Sequence, residues 1–113
     1  MHALSLLALL LPLVAADSFS QCDCKTASDD GKWTSDPALT HWVCYNSYAN
    51  TANFDANVGG CVSTQANIDG DTWQQSCIDA GVSSGYYAFG SDGKPITNVP
   101  AMKVAHAAGQ CPK

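Results

Sequence analysis

Six cysteines are the residues of this 113-residue chain whose type and spacing most clearly indicate a chemistry. They are Cys22, Cys24, Cys44, Cys61, Cys77 and Cys111. Structural zinc sites usually carry short C-x-x-C or H-x-x-x-H type spacings, and a catalytic redox pair is usually C-x-x-C. The chain has none of these spacings. We therefore predict no metal ligands, no redox-active thiols and no cofactor, and we assign the cysteines to structural disulfides.

The amino-terminal residues MHALSLLALLLPLVAA indicate the compartment in which such disulfides form. Their apolar run is too short to cross a bilayer but has the length of a secretory signal sequence, and Val14-Ala15-Ala16 fits a small-x-small cleavage site. We predict a signal peptide over residues 1–16, a single disulfide-stabilised domain over residues 17–113, and a secreted, extracellular location. In a short secreted chain, six cysteines indicate three disulfides.

Cys22 and Cys24 are separated by one residue, which places them too close to bond to each other without strain. Alternate residues of a strand share a face. We therefore predict a strand through the QCDCK segment with both cysteines on its buried face, each bonded to a different element. The sequence does not determine which elements these are.

The charged residues exclude two classes of partner. All ten acidic residues are aspartate, all five basic residues are lysine, and the net charge is −5. Binding to nucleic acid or to an anionic membrane surface requires clustered basic side chains. We therefore predict no nucleic-acid partner and no binding to an anionic membrane surface. No apolar run after residue 16 is long enough to span a bilayer, so we also predict no membrane insertion.

The search for catalytic residues yields no candidate. A Ser-His-Asp triad would need His41 or His106, and a guanine-specific ribonuclease would need glutamate and arginine, which the chain lacks. Asp69-Gly70-Asp71 resembles part of a calcium loop, but an EF-hand needs a glutamate as its last ligand. We predict a non-enzymatic protein; a pocket that holds either histidine against an aspartate would support a hydrolase instead.

Two helices are predicted from caps and periodic apolar residues. The first begins after an Asp36 cap with Pro37 in its first turn. The second begins at an Asp71 cap and ends at Gly81. Its buried stripe is formed by Trp73, Cys77 and Ala80.

Short strands are predicted around residues 58–64, around residues 86–89 and from residue 96 onward. Residues 102–105 fit either a strand or a short helix, and we favour a strand. Gly59 and Gly60 indicate a bulge or a close backbone approach beside Cys61. The predicted fold class is α+β: a small antiparallel sheet with two helices, stapled by three disulfides.

Aromatic side chains provide the candidate binding surface. Exposed rings stack on sugars and contribute to protein interfaces. Trp33, beside an Asp-Gly turn, is the best candidate for exposure, and adjacent Tyr86 and Tyr87 would face opposite sides of a strand. We predict that Trp33 and one or both of these tyrosines form a binding surface.

Taken together, the segments FSQCDCK, SDPALTHWVCY and IDGDTWQQSC, a lone Cys61 and a late Cys111 resemble the small secreted cysteine-rich proteins of filamentous fungi. The most similar group that we can name is the Trichoderma group that plants sense as elicitors. Those proteins often carry eight cysteines, with adjacent cysteine pairs in the helices. The resemblance implies that Val43 and Ser76 replace two cysteines of a lost bridge.

The resemblance also implies a function. It implies a secreted, non-enzymatic effector or elicitor that acts at a host or microbial surface, and it suggests a homodimer. We expect the partner to be a host plant cell-surface component or a cell-wall glycan. The alternative expectation is a secreted carbohydrate- or cell-wall-binding module, or a small antimicrobial toxin.

Overall fold

The computed structural model describes residues 18–112. The predicted signal peptide over residues 1–16 lies outside the described residues. In chain order the elements are β1 (Ser18–Phe19), β2 (Gln21–Ala27), β3 (Trp33–Ser35), α1 (Pro37–Ser47), β4 (Asn53–Asp55), β5 (Gly60–Val62), β6 (Ile68–Asp69), α2 (Gly70–Ile78), a π-helical segment (Asp79–Ser84) and β7 (His106–Gln110).

Strand β2 is the centre of the main sheet. Its residues 23–27 pair antiparallel with β7, its residues 25–27 also pair with β3, and its first two residues pair with β5, which continues to β4. Because residues 25–27 have two strand neighbours, β2 is an interior strand there. Cys22, Cys24 and Thr26 are buried, whereas Gln21 and Asp23 are half-buried, which confirms the predicted alternation.

Three disulfides connect the elements of the fold, and two of them start from β2. They are Cys22–Cys111, Cys24–Cys77 and Cys44–Cys61. The two neighbouring cysteines of β2 thus bond to different elements, as predicted: Cys22 to the segment after β7, and Cys24 to α2. With two helices, a small antiparallel sheet and three disulfides, the predicted α+β fold class is confirmed.

Helix α1 begins where the sequence predicts. Asp36 caps it by accepting a hydrogen bond from Leu39 N at 3.0 Å, and Pro37 occupies the first turn. Thr40 is buried, and its Oγ1 accepts a hydrogen bond from Cys24 N at 2.8 Å. This bond attaches the helix to the backbone of β2.

Helix α2 differs from its prediction at both ends. Its cap is Asp69, which accepts from Thr72 N at 2.9 Å, and Asp71 lies in the first turn. The predicted stripe of Trp73, Cys77 and Ala80 is buried. The α-helix ends at Ile78 and the chain continues as the π-helical segment to Ser84. Gly81 therefore lies inside this segment and does not take the left-handed conformation of a helix stop.

Most of the strands predicted in the second half of the chain are shorter or absent. The strand predicted over 58–64 is reduced to β5, where Gly60 lies against the backbone of Cys22, a close approach as expected. Residues 86–105 form turns with two isolated bridges, Tyr86 to Met102 and Phe89 to Pro95. The last strand lies at 106–110 rather than at 102–105, since it is residues 106–110 that pair with β2.

Candidate functional site

The structure does not bring the predicted binding residues together. Trp33 lies on the edge strand β3, is 50% exposed and contacts the ring of His106 at a centroid distance of 6.4 Å. Tyr87 is half-buried and contacts a different aromatic residue, Trp42. Tyr86 is 4% exposed and belongs to the core.

Tyr86 is therefore not part of a binding surface. Its hydroxyl donates a hydrogen bond of 2.8 Å to Oδ2 of Asp36, which also accepts from Thr26 Oγ1 at 3.1 Å. Burial and the adjacent carboxylate raise the pKa of Tyr86. Residues 86–89 form isolated bridges and no continuous strand, so strand alternation does not apply to Tyr86. Its hydroxyl instead points to the cap of α1, where it bonds to Asp36.

A set of six aromatic side chains on the outer side of α1 forms the most extensive ring cluster of the described residues. We call it the aromatic face. It consists of His41, Trp42 and Tyr45 of α1, Phe54 of β4, and Tyr87 and Phe89 of the loop that follows the π-helical segment. Tyr45 is 46% exposed and the other five are half-buried, so the cluster is in contact with solvent.

The centre of the aromatic face is a stack of three rings. The imidazole of His41 lies between Phe54, at 4.4 Å and 9°, and Phe89, at 3.5 Å and 10°. Tyr45 meets Phe89 edge-on at 5.3 Å. Burial between these rings lowers the pKa of His41, so the neutral imidazole is favoured.

Part of the aromatic face has a sequence signal. His41 and Tyr45 are four residues apart in a predicted helix, and Trp42 adjoins them, so their common side could be predicted. Phe54 and Phe89 come from segments far apart in the chain, and no periodic pattern indicates that they would enclose His41. The contact depends on tertiary packing.

The histidines lack the partners of a catalytic triad. Within residues 18–112, neither His41 nor His106 makes a hydrogen bond or ion pair with an aspartate. Sequence reasoning missed one match to a hydrolase motif, since residues 81–85 fit G-x-S-x-G. In a hydrolase that serine occupies a turn between a strand and a helix. Here Ser83 lies in the π-helical segment that continues a helix, so the match lacks the required context.

The Asp-Gly-Asp segment caps a helix. Oδ2 of Asp69 accepts hydrogen bonds from Thr72 N and Thr72 Oγ1, which lower the pKa of Asp69. Across the described part of the chain, no group of three or more His, Cys, Asp or Glu side chains is placed to hold a metal ion.

Two depressions adjoin the aromatic face. One, of about 240 Å³, lies beside His41, Tyr45 and Phe54. The other, of about 390 Å³, lies between α1, the end of α2 and the π-helical segment, and we call it the polar groove. It is lined by the rings of Trp42 and Tyr87 and by polar side chains, namely Asn46, Ser47, Ser76, Asp79 and Ser84.

Comparison with protein-family models, curated proteins and solved structures finds no match to this chain. The resemblance to the fungal proteins therefore stays a prediction from the residues. Among the described residues, no helix has the length and apolar character needed to span a membrane.

Proposed function

We propose that the chain is a secreted, non-enzymatic protein of the effector or elicitor type, which acts by binding at a host or microbial surface through its aromatic face. The observation that carries this proposal is the contiguous contact of six rings on one side of α1. Aromatic side chains are enriched at protein interfaces and dominate their energetics.

An extracellular location is supported by the three disulfides. Such bridges form and persist in oxidising compartments and are typical of small secreted domains with a modest core. All six cysteines are paired in disulfides, and five of them are fully buried or nearly so. We therefore assign these bridges to stabilising the fold.

The resemblance to fungal elicitors implies a lost bridge between positions 43 and 76. Val43 of α1 and Ser76 of α2 both line the polar groove, and this placement supports the resemblance.

Infiltration of the purified, folded protein into leaf tissue tests the proposal. We expect a defence response that is absent with a reduced and alkylated control, because unfolding separates the rings of the aromatic face. The substitution Tyr45→Ala removes the most exposed ring of the face and should weaken the response. The matched control is Trp33→Ala, which removes an equally exposed ring outside the face. A folded protein that causes no response in any plant tested, or equal loss in both variants, would contradict the proposal.

A further inference from the structure

The polar groove has the composition of a sugar site at the end of the aromatic face. The rings of Trp42 and Tyr87 meet at a centroid distance of 5.3 Å and an angle of 62°, and they form one side of the groove. Ring faces present an apolar surface to the C–H groups of a pyranose. Edge-on contact between the two rings fixes each of them in the orientation that it presents.

The groove is also lined by hydrogen-bonding groups that suit hydroxyls. Asn46 Nδ2 donates to the carbonyl of Trp42 at 3.2 Å, which orients the amide, and Asp79 Oδ1 accepts from Gln75 Nε2 at 2.9 Å, which orients the carboxylate. The hydroxyls of Ser47, Ser76 and Ser84 both donate and accept. Sites for small polar molecules combine such oriented groups with aromatic walls.

The charges of the groove limit the ligand further. Asp79 is the one ionisable acid among the residues that line it, and the lining contains no lysine. A carboxylate without a basic partner in the lining disfavours phosphate, sulfate and uronate groups. An uncharged polyhydroxylated ligand fits the rings and the hydroxyl and amide groups of this lining, and the volume of about 390 Å³ falls within the usual range of small-molecule sites.

We propose that the polar groove binds a neutral oligosaccharide, with a pyranose ring packed on Trp42 or Tyr87 and its hydroxyls bonded to Asn46 and Asp79. This inference rests on the proposed function, because it names the class of partner at one end of the aromatic face. It places the sugar site away from Trp33, the residue favoured by the sequence.

Titration of the folded protein with chitohexaose, cellohexaose and laminarihexaose, followed by calorimetry and by amide NMR, tests the inference. We expect at least one of these neutral hexasaccharides to bind and to shift the amide signals of groove residues such as Asn46 and Ser84. Tyr87→Ala should weaken binding about tenfold, since the lost ring contact is worth about 1.4 kcal/mol. Trp33→Ala should bind like the unmodified protein.

Asn46→Ala provides a second variant at an exposed position, where folding is not at stake. It should weaken binding several-fold without changing the thermal unfolding midpoint. Binding that is lost in Trp33→Ala but retained in Tyr87→Ala would overturn the inference. The absence of binding by all three hexasaccharides at millimolar concentration would also overturn it. A protein that binds only the cationic glucosamine hexamer, and loses that binding in Asp79→Asn, would show a site for cations and would overturn it as well.

The two proposals fail separately. A protein that elicits a leaf response but binds no hexasaccharide overturns the sugar site and leaves the elicitor proposal in place. A protein that binds a hexasaccharide but is silent in leaves supports the groove and contradicts the elicitor proposal.

Discussion

At the scale of single residues, the carboxylate of Asp36 joins three segments. Its Oδ1 accepts from Leu39 N, and its Oδ2 accepts from Thr26 Oγ1 and Tyr86 OH. A helix cap, a strand and a loop are thus fixed to one side chain. Hydrogen bonds to a charged group are stronger than neutral ones, so this group stabilises the fold more than a simple cap would.

Replacement of Tyr86 by phenylalanine should lower the free energy of unfolding by about 2 kcal/mol, because a partly buried bond to a carboxylate is lost while the ring remains. Chemical denaturation measures this difference. Tyr87→Phe is the matched control and should have little effect, since that side chain is half-buried. Equal losses in the two variants would show that the bond to Asp36 contributes nothing specific.

The His41 stack should be visible as a depressed pKa. Burial between Phe54 and Phe89 disfavours the imidazolium, so the pKa of His41 lies below its ordinary value. NMR titration of the ring protons should show this, and Phe89→Ala should move the pKa back towards the ordinary value of about 6.5. A pKa at or above that value in the unmodified protein would contradict the enclosed stack.

The same shift sets the sign of a pH effect on stability. The unfolded chain binds a proton at His41 before the folded chain does. The stability from this group is therefore complete above pH of about 6.5 and is lost as the pH falls through the lower folded pKa. Denaturation at several pH values should show this decrease, and His41→Gln should lack it.

At the scale of elements, β2 and β7 lie against α2. Gly109 of β7 is packed so closely that a Cβ atom there would lie 2.7 Å from Gln74 Cα and 2.7 Å from Trp73 Cδ1. Trp73 is fully buried, and its indole Nε1 donates to Asp23 O of β2 at 2.9 Å. The helix is thus fixed to both strands by packing, and to β2 also by one partly buried hydrogen bond and by the Cys24–Cys77 disulfide.

The start of α2 provides a direct comparison of two aspartates. Asp69→Ala should cost about 1 kcal/mol of unfolding free energy, since it removes the side chain that accepts from Thr72. Asp71→Ala should cost less, because Asp71 interacts with the helix only through the dipole of the first turn. Thermal or urea unfolding of the two variants measures this order. A larger loss at Asp71 would support the cap predicted from the sequence.

At the scale of the whole molecule, the disulfides enclose very different lengths of chain. The sequence separation is 89 for Cys22–Cys111, 53 for Cys24–Cys77 and 17 for Cys44–Cys61. In the chain-entropy model, a longer closed loop restricts the unfolded state more. The bridge from β2 to the segment after β7 therefore constrains the unfolded chain most.

Removal of individual bridges by paired Cys→Ala substitutions should follow that order. Loss of Cys44–Cys61 should cost about 3 kcal/mol, and loss of Cys22–Cys111 about 1.5 kcal/mol more. Guanidinium unfolding under non-reducing conditions measures both values. The opposite order would indicate that packing around the short bridge, rather than loop closure, determines its contribution.

The sequence predicts local features of this fold better than distant contacts. Alternation around Cys22 and Cys24 predicts the central strand, and Asp36-Pro37 predicts the start of α1, because both signals lie within a few residues. The cap of α2 was assigned to the wrong aspartate, since Asp69 and Asp71 offer the same chemistry two residues apart. The burial of Tyr86 and the enclosure of His41 depend on segments about 50 residues away, for which the local pattern carries no information.

The Cys22–Cys111 bridge also determines whether cleavage by a protease separates the chain into fragments. A single cut at any peptide bond between these two cysteines leaves both fragments covalently joined, since one end of the bridge lies on each side of the cut. Release of a fragment requires a second cut that the remaining bridges do not span, or reduction. A molecule cut once by a protease would therefore keep its strands and helices attached, and its mass would increase by one water while its parts stayed joined.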